Sequence, residues 1–494
     1  TITNCNIHHN TTNGGGGGIS CLNYSTLNVN ASHIDSNSAT WGGGCRIADN
    51  AEANFVEGSI NGNTAQGEIE GGEINGSGGG IVIYNATANF SDLDISNNLV
   101  KYDGGGILLA GGSQASFNNV TISENTSIDG GGGGIASYHQ SSFLLVENST
   151  IRQNSANWGG GGLACMENSI AHISDVTIIG NSTEGRGGGI QCYDSDLHLT
   201  DVTIQENEAL YAGGGLEGAH SNMQITESNF LYNSVFNDEY NSFGGGLSYF
   251  NYNSTDNDSF QVNIGNSNFK YNSASTADDN RYTMGGGISI GQYNDNSIIN
   301  VNISDCSIEY NSAESYGGIR IMGENIDFVL DSTKVMYNEA LYYASAGGFD
   351  NGSSGLVNRS IIANNIISED INTEASALGV IDGSNVNFIN TTFFNNITFN
   401  GGALSILNEG VSTVKNCIFW KNTPYQIVLD SKDDAGGNMI VLYNDIEGGI
   451  ASIIITDSLS VLDYGIGNIN ANPLFCDVQN EDFTLAENSP CIEN

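Results

Sequence analysis

One phrase returns along the whole chain and decides what it can fold into. A glycine run is followed by an aliphatic residue and, further on, by a large apolar residue with an asparagine three places later. The runs end at Gly18, Gly44, Gly80, Gly106, Gly134, Gly162, Gly189, Gly215, Gly246 and Gly287, with weaker copies at Gly318, Gly348 and Gly402. The asparagines are Asn10, Asn37, Asn63, Asn98, Asn125, Asn154, Asn181, Asn207, Asn233, Asn272, Asn311, Asn338, Asn365, Asn396 and Asn422. The period is roughly 26–28 residues, stretching to about 41 where loops are inserted, and a fixed period of this size marks a solenoid. A solenoid grows by adding coils to one core, so the length of 494 residues does not imply several domains.

Within a repeat the apolar residues alternate with polar ones over short runs. After Gly189 come Ile190 and Cys192, a turn at Asp194-Ser195-Asp196, then Leu197, Leu199, Val202 and Ile204, closing at Asn207. Such alternation predicts short half-buried strands, and no stretch carries a helical stripe. Each repeat therefore reads as one coil of a parallel β-solenoid. Glycine suits a corner where coils stack closely. Asparagine at one fixed place in each coil can stack as a ladder and satisfy turn backbone groups, the role expected of Asn125, Asn154, Asn181 and Asn207. No glycine run ends in the Gly-Lys-Ser/Thr that a phosphate loop needs.

Charge narrows the partners. Twelve Lys and Arg face 55 Asp and Glu, a net charge of −43. Such a surface repels nucleic acid and anionic membrane, and no apolar run approaches the length of a membrane-spanning helix. The balance suits a protein outside the cell or on its surface that attracts divalent cations. Three prolines in the chain fit strands that need every backbone donor. The opening Thr1–Ile7 aligns with the second half of a repeat, so further coils or another element are expected against that end.

Catalytic sets are not evident. The basic residues are scattered one per coil or fewer, and the histidines show no metalloprotease or zinc-finger spacing. A glycosidase needs two carboxylates across the bond. The Asp-Asp pairs, Asp278-Asp279 and Asp433-Asp434, sit in polar loops that read as solvated turns. Binding features are better marked. Insertions at 234–243, 252–259, 275–283 and 292–297 flank neighbouring glycine runs and should emerge near one another. They supply Asp238, Glu239, Tyr252, Asp278, Asp279 and Asp295 as candidate binding residues. Asp256-Asn257-Asp258 offers closely spaced oxygens, so Asp256 and Asp258 are candidate Ca²⁺ ligands, although the full EF-hand loop is missing. Aromatic residues at or near the glycine runs, Trp158, Tyr211, Tyr282 and Tyr316, form a second candidate surface, on which sugars could stack; packing at the corner is the plainer role.

Of nine cysteines, Cys476 and Cys491 stand apart from the repeats and are the candidates for a disulfide if the chain is exported. The others fall at inward positions as small buried residues. From about Ala435 the glycine and asparagine rhythm fades, so residues 1–434 read as repeats and 435–494 as the last coils with a C-terminal cap, in one continuous domain.

Two resemblances bear on the fold. The ending Pro473-Leu474-Phe475-Cys476-Asp477, Asp482-Phe483-Thr484-Leu485 and Ser489-Pro490-Cys491-Ile492 resembles the close of right-handed parallel β-helix domains in large secreted proteins of Bacteroidetes and their relatives. Gly401-Gly402-Ala403-Leu404, with Phe230…Asn233, Phe269…Asn272, Phe393…Asn396 and Phe419…Asn422, resembles the repeat of chlamydial polymorphic outer-membrane proteins, although most copies here have Gly in place of Ala. The resemblance implies an all-β, single-stranded right-handed parallel β-helix, here of about 15 coils, secreted or displayed at the surface. Such helices serve as adhesins, stalks and polysaccharide enzymes. The expectation is a structural or adhesive module without catalysis, binding a cell-surface glycan or protein, or neighbouring subunits in a filament. A polysaccharide lyase or glycoside hydrolase is the alternative, and Ca²⁺ is the one cofactor to test.

Overall fold

A computed structural model describes residues 1–67, 76–138, 142–255, 257–277, 282–369, 375–431 and 435–492. The chain divides into two compact units. The first comprises Thr1–Phe250 with Ser275–Arg281, and the second Asn251–Ala274 with Tyr282–Asn494. Among the described residues no helix is long and apolar enough to cross a membrane.

In the first unit the period of the sequence becomes the register of parallel strands. Leu163–Met166 pairs with Ile190–Tyr193, Ile170–Ile179 with Asp196–Gln205, and Ser182–Thr183 with Glu208–Ala209. Each residue lies opposite its counterpart one coil on. Along Ile170–Ile179, Ala171, Ile173, Val176 and Ile178 are buried while the residues between them reach outward. Like side chains therefore stack inside: Phe55 on Phe90 at 5.1 Å and Phe90 on Phe117 at 4.6 Å between ring centroids. Each such ring contributes roughly 1.5–3 kcal/mol by leaving water.

The two repeated marks form the corner. Asn154 Nδ2 donates to Asn181 Oδ1 at 2.9 Å, and Asn181 Nδ2 to Asn207 Oδ1 at 3.0 Å. The same oxygens accept the backbone N–H of the preceding asparagine, and each amide also donates to a carbonyl, Asn181 to that of Ile151 at 3.0 Å. The asparagines thus satisfy backbone groups that a tight corner would otherwise strand. Beside them, Gly160 adopts φ 60°, and a Cβ on Gly161 would come within 2.4 Å of the Gly188 carbonyl oxygen. Any side chain there would push the coils apart.

A second row of polar corner residues runs five positions before the asparagines. In the second unit Cys306 N donates to Thr333 Oγ1, Thr333 N to Ser360 Oγ, Thr391 N to Cys417 Sγ and Cys417 N to Asn444 Oδ1. Cys306 and Cys417 thus occupy hydroxyl positions as well as filling space. Burial pushes the Cys306 thiol up to about 11 and the Cys417 thiol up to about 12.

The asparagine row of the second unit runs from Asn272 through Asn311, Asn338, Asn365 and Asn396 to Asn422. There it stops, because Asn422 Nδ2 donates to Gln426 Oε1 at 2.7 Å. Coiling nevertheless continues through Asn438–Leu442 and Val461–Tyr464. On the last coil Leu459, Val461 and Ile466 remain exposed. The antiparallel hairpin of the final segment, Phe475–Asp477 with Asp482–Leu485, packs along the flank. Phe483 meets Phe394 and Phe475 in a cluster with Met336 and Ala363.

The disulfide expected between Cys476 and Cys491 is not formed. Both are free thiols. Cys491 Sγ donates to Asp445 Oδ2 at 3.1 Å, whereas Cys476 is exposed on the hairpin. Burial, with that carboxylate adding to it, pushes the Cys491 thiol up to about 12. Aromatic packing, not a covalent link, holds the tail.

Candidate functional site

The sequence-derived candidates separate into three groups. Asp256, Asp278 and Asp279 lie outside the described residues. Asp258, Asp238, Glu239 and Tyr282 are exposed, and Tyr252 is half-buried. Asp238 Oδ1 accepts the Ala277 N–H at 2.8 Å, which ties two insertions of the first unit together. In the second unit Asn253 N donates to the Tyr293 carbonyl and Asn296 N to that of Ser254, so the insertions at 252–259 and 292–297 also meet. Among the described residues no group of three or more His, Cys, Asp or Glu side chains stands ready for a metal.

Tyr316 and Asp295 are not surface residues. Tyr316 is 8 % exposed, its hydroxyl donating to Asp350 Oδ2 at 2.9 Å. Arg320 Nε reaches the same oxygen at 3.3 Å, and the guanidinium lies 5.4 Å from the Tyr316 ring centroid. Burial raises the Asp350 carboxyl, and Arg320 opposes the shift. Tyr316 therefore belongs to a buried ion-pair cluster, in which removing one partner would strand a charge. Asp295 is likewise buried in its turn.

Trp158 and Tyr211 do meet. Trp158 is 74 % exposed and lines a recess of about 410 Å³ together with Arg186 and Tyr211. Trp158 precedes its glycine run on a loop whose backbone N–H donates to the Gly130 carbonyl at 3.0 Å, so the indole is held at the rim. Arg186 is fixed from beneath by Glu217, whose Oε1 lies 3.6 Å from Nη1. Glu217 is 2 % exposed; burial raises its carboxyl and Arg186 opposes the shift. Oε2 of Glu217 is buried without a hydrogen-bond partner among the described residues, while Gln191 beside the carboxyl also lowers its pKa. Arg186 is thereby bound to the scaffold rather than swinging in solvent.

The recess opens into a longer groove of about 690 Å³, with which it shares Asn157, Glu184 and Leu210. The floor is a row of short strands. Thr126, Ser155, Ser182, Glu208 and Ser234 stand opposite one another on five successive coils. At about 4.8 Å per coil the row spans about 19 Å. Ile128 and Phe236, both exposed, lie toward its ends. Two carboxylates, Glu184 and Glu208, line the groove, with hydroxyls and amides for the rest of its polar lining. The sequence reading missed this row, because an outward serine or threonine looks like any polar residue of an alternating strand.

The family comparison agrees with the architecture. Residues 79–269 match the family model described as a right handed beta helix region. The fold is a right-handed parallel β-helix. Comparison with curated protein sequences finds no match. Among solved structures the chain is similar to the A-module of mannuronan C-5 epimerase AlgE6 from Azotobacter vinelandii, at 10% identity, covering 91% of each chain with a TM-score of 0.26. A likeness that distant carries no argument about activity.

Proposed function

We propose that this β-helix is an extracellular binding and scaffolding module whose working surface is the first unit's groove, and that the groove takes a neutral glycan in extended form. The observation that carries the reading is the conjunction of an exposed Trp158 with a register of hydroxyls running along five coils. An indole face suits the apolar face of a sugar ring, and fixed hydroxyls and amides suit its edges. A rigid stacked sheet loses little entropy when an extended chain docks on it. Glu184 and Glu208 in the groove and the net charge of −43 disfavour a polyanion. The inserted loops are less suited to recognition than their sequence implied. Asp238 and Asp295 hold backbone N–H groups of neighbouring insertions.

Binding to an array of neutral and acidic glycans, read with the parent and with Trp158→Ala, tests this. Neutral glycans should bind, and Trp158→Ala should weaken them at least tenfold with an unchanged far-UV spectrum. Binding confined to acidic glycans, or indifferent to Trp158, refutes the groove. Cleavage of a bound polysaccharide, lost in Glu184→Gln or Glu208→Gln, would make the module an enzyme instead.

A further inference from the structure

In the second unit three successive turns, at Gln292–Asn296, Gly323–Asn325 and Asn351, enclose a polar cavity of about 330 Å³. Its charged lining is Asp295 and Glu324, and no Lys or Arg stands among the lining residues. Asp295 is 6 % exposed and is locked in orientation: Oδ2 accepts Ser254 N at 2.9 Å, and Oδ1 accepts Ser297 N at 2.9 Å and Ser297 Oγ at 2.5 Å.

Gln292 supplies the independent observation. It is 5 % exposed, and its Nε2 donates to the Asp295 carbonyl at 3.3 Å. That bond identifies Oε1 as the amide atom left over, and Oε1 is buried without a hydrogen-bond partner among the described residues. Folds seldom leave a buried acceptor so. The side chain is seated under Gly323, where φ is 140° and a Cβ would come within 2.5 Å of Gln292 Cγ. Two carboxylates and this amide oxygen thus line one cavity, and none of its lining residues is cationic.

We propose that this cavity is a Ca²⁺ site, with Gln292 Oε1 and the carboxylates of Asp295 and Glu324 as protein ligands and water completing the shell. The donors are all hard oxygens, which excludes a thiolate or imidazole metal centre. Ca²⁺ accepts carboxylate, amide and water oxygens in a flexible shell of six to eight, whereas Mg²⁺ demands near-ideal octahedral geometry and dehydrates reluctantly. The acidic surface raises the local cation concentration. These ligands are other residues than Asp256 and Asp258. Bound Ca²⁺ would fasten the 292–297 insertion to the turn at Gly323–Asn325.

The test uses the whole chain, stripped with EDTA and held at about 150 mM NaCl so that diffuse surface uptake is screened. Calorimetric titration with Ca²⁺ should give one saturable site per chain, with Mg²⁺ weaker. Affinity should fall at least tenfold in Gln292→Leu and in Glu324→Gln, and should be unchanged in Asp258→Asn. Tb³⁺ in place of Ca²⁺ should luminesce on tyrosine excitation through Tyr293, which lines the cavity, and lose several-fold intensity in Tyr293→Phe. Non-saturating uptake overturns the proposal. So does a saturable site that keeps its affinity in both Gln292→Leu and Glu324→Gln, or that Asp258→Asn abolishes.

Discussion

Replacing Asn181 by leucine tests the corner ladder where it is fully buried. Asn181 Oδ1 accepts both the backbone N–H and the Nδ2 of Asn154 at 2.9 Å, while its own Nδ2 donates to the Ile151 carbonyl and to Asn207 Oδ1 at 3.0 Å. Leucine removes all four bonds. Asn154 Nδ2 keeps the Ile122 carbonyl, and Asn207 Oδ1 keeps the Asn181 backbone N–H. The Asn154 N–H and the Ile151 carbonyl each lose a buried partner. At about 1–3 kcal/mol for each stranded group the change should cost about 4 kcal/mol. Because coils act through their neighbours, the loss should be read locally as well as globally. Hydrogen exchange at the Asn154 amide should accelerate by two to three orders of magnitude, and the denaturation midpoint should fall. Thr177→Ala, outward on the same coil, should stay within about 0.5 kcal/mol. Unchanged exchange at Asn154, with stability equal to the Thr177 variant, would refute the ladder as a source of stability.

Phe483→Ala should cost about 3–5 kcal/mol by the usual measure of a buried ring. That is enough to detach the C-terminal hairpin, so limited proteolysis should cut there first while the coils stay protected. Reductant should leave the melting temperature unchanged, since all nine cysteines are free; a fall on reduction would show a bridge. In the native protein a thiol reagent should modify exposed Cys5 and Cys476 and spare Cys45, Cys165, Cys192, Cys306 and Cys417. The His172 ring lies against that of His198, tilted by 36° at 4.4 Å between centroids, and burial, with His198 adding to it, holds the His172 pKa below its ordinary value. A lowered pKa favours the neutral ring in the fold. Its contribution is therefore complete above about pH 6.5 and is lost as the pH falls through the lower folded value. His172→Gln should flatten that part of the stability profile, measured by denaturant unfolding between about pH 7 and 5.

The fold was legible because each mark carries one physical meaning. An asparagine at a constant phase can only make a row, and Gly161 can only be a contact with the next coil. The direction of the tail was not legible, since Phe475 and Phe483 show that they will be buried but not against which surface. The ion pairs Arg186–Glu217 and Arg320–Asp350 hid because the partners are a coil apart; aligning the repeats and seeking opposite charges at neighbouring positions would have found them. Asp295 reads as a loop acid until the turn is seen to close over it. Trp158 was nameable in advance, but its setting depended on outward hydroxyls that carry no signature of their own.

The asparagine row has a direction. From Asn10 to Asn233 each side-chain amide hands its proton to the oxygen of the next coil, never the reverse, and the second unit repeats the sense from Asn272 to Asn422. The dipoles add, and each bond polarises its neighbours. Coils are therefore exchangeable parts with a head and a tail. One can be duplicated, deleted or grafted from a similar helix without disturbing the row. A coil entered backwards would set oxygen against oxygen. Gln426, which receives the last proton of its row, shows how such a chain of amides is brought to a stop.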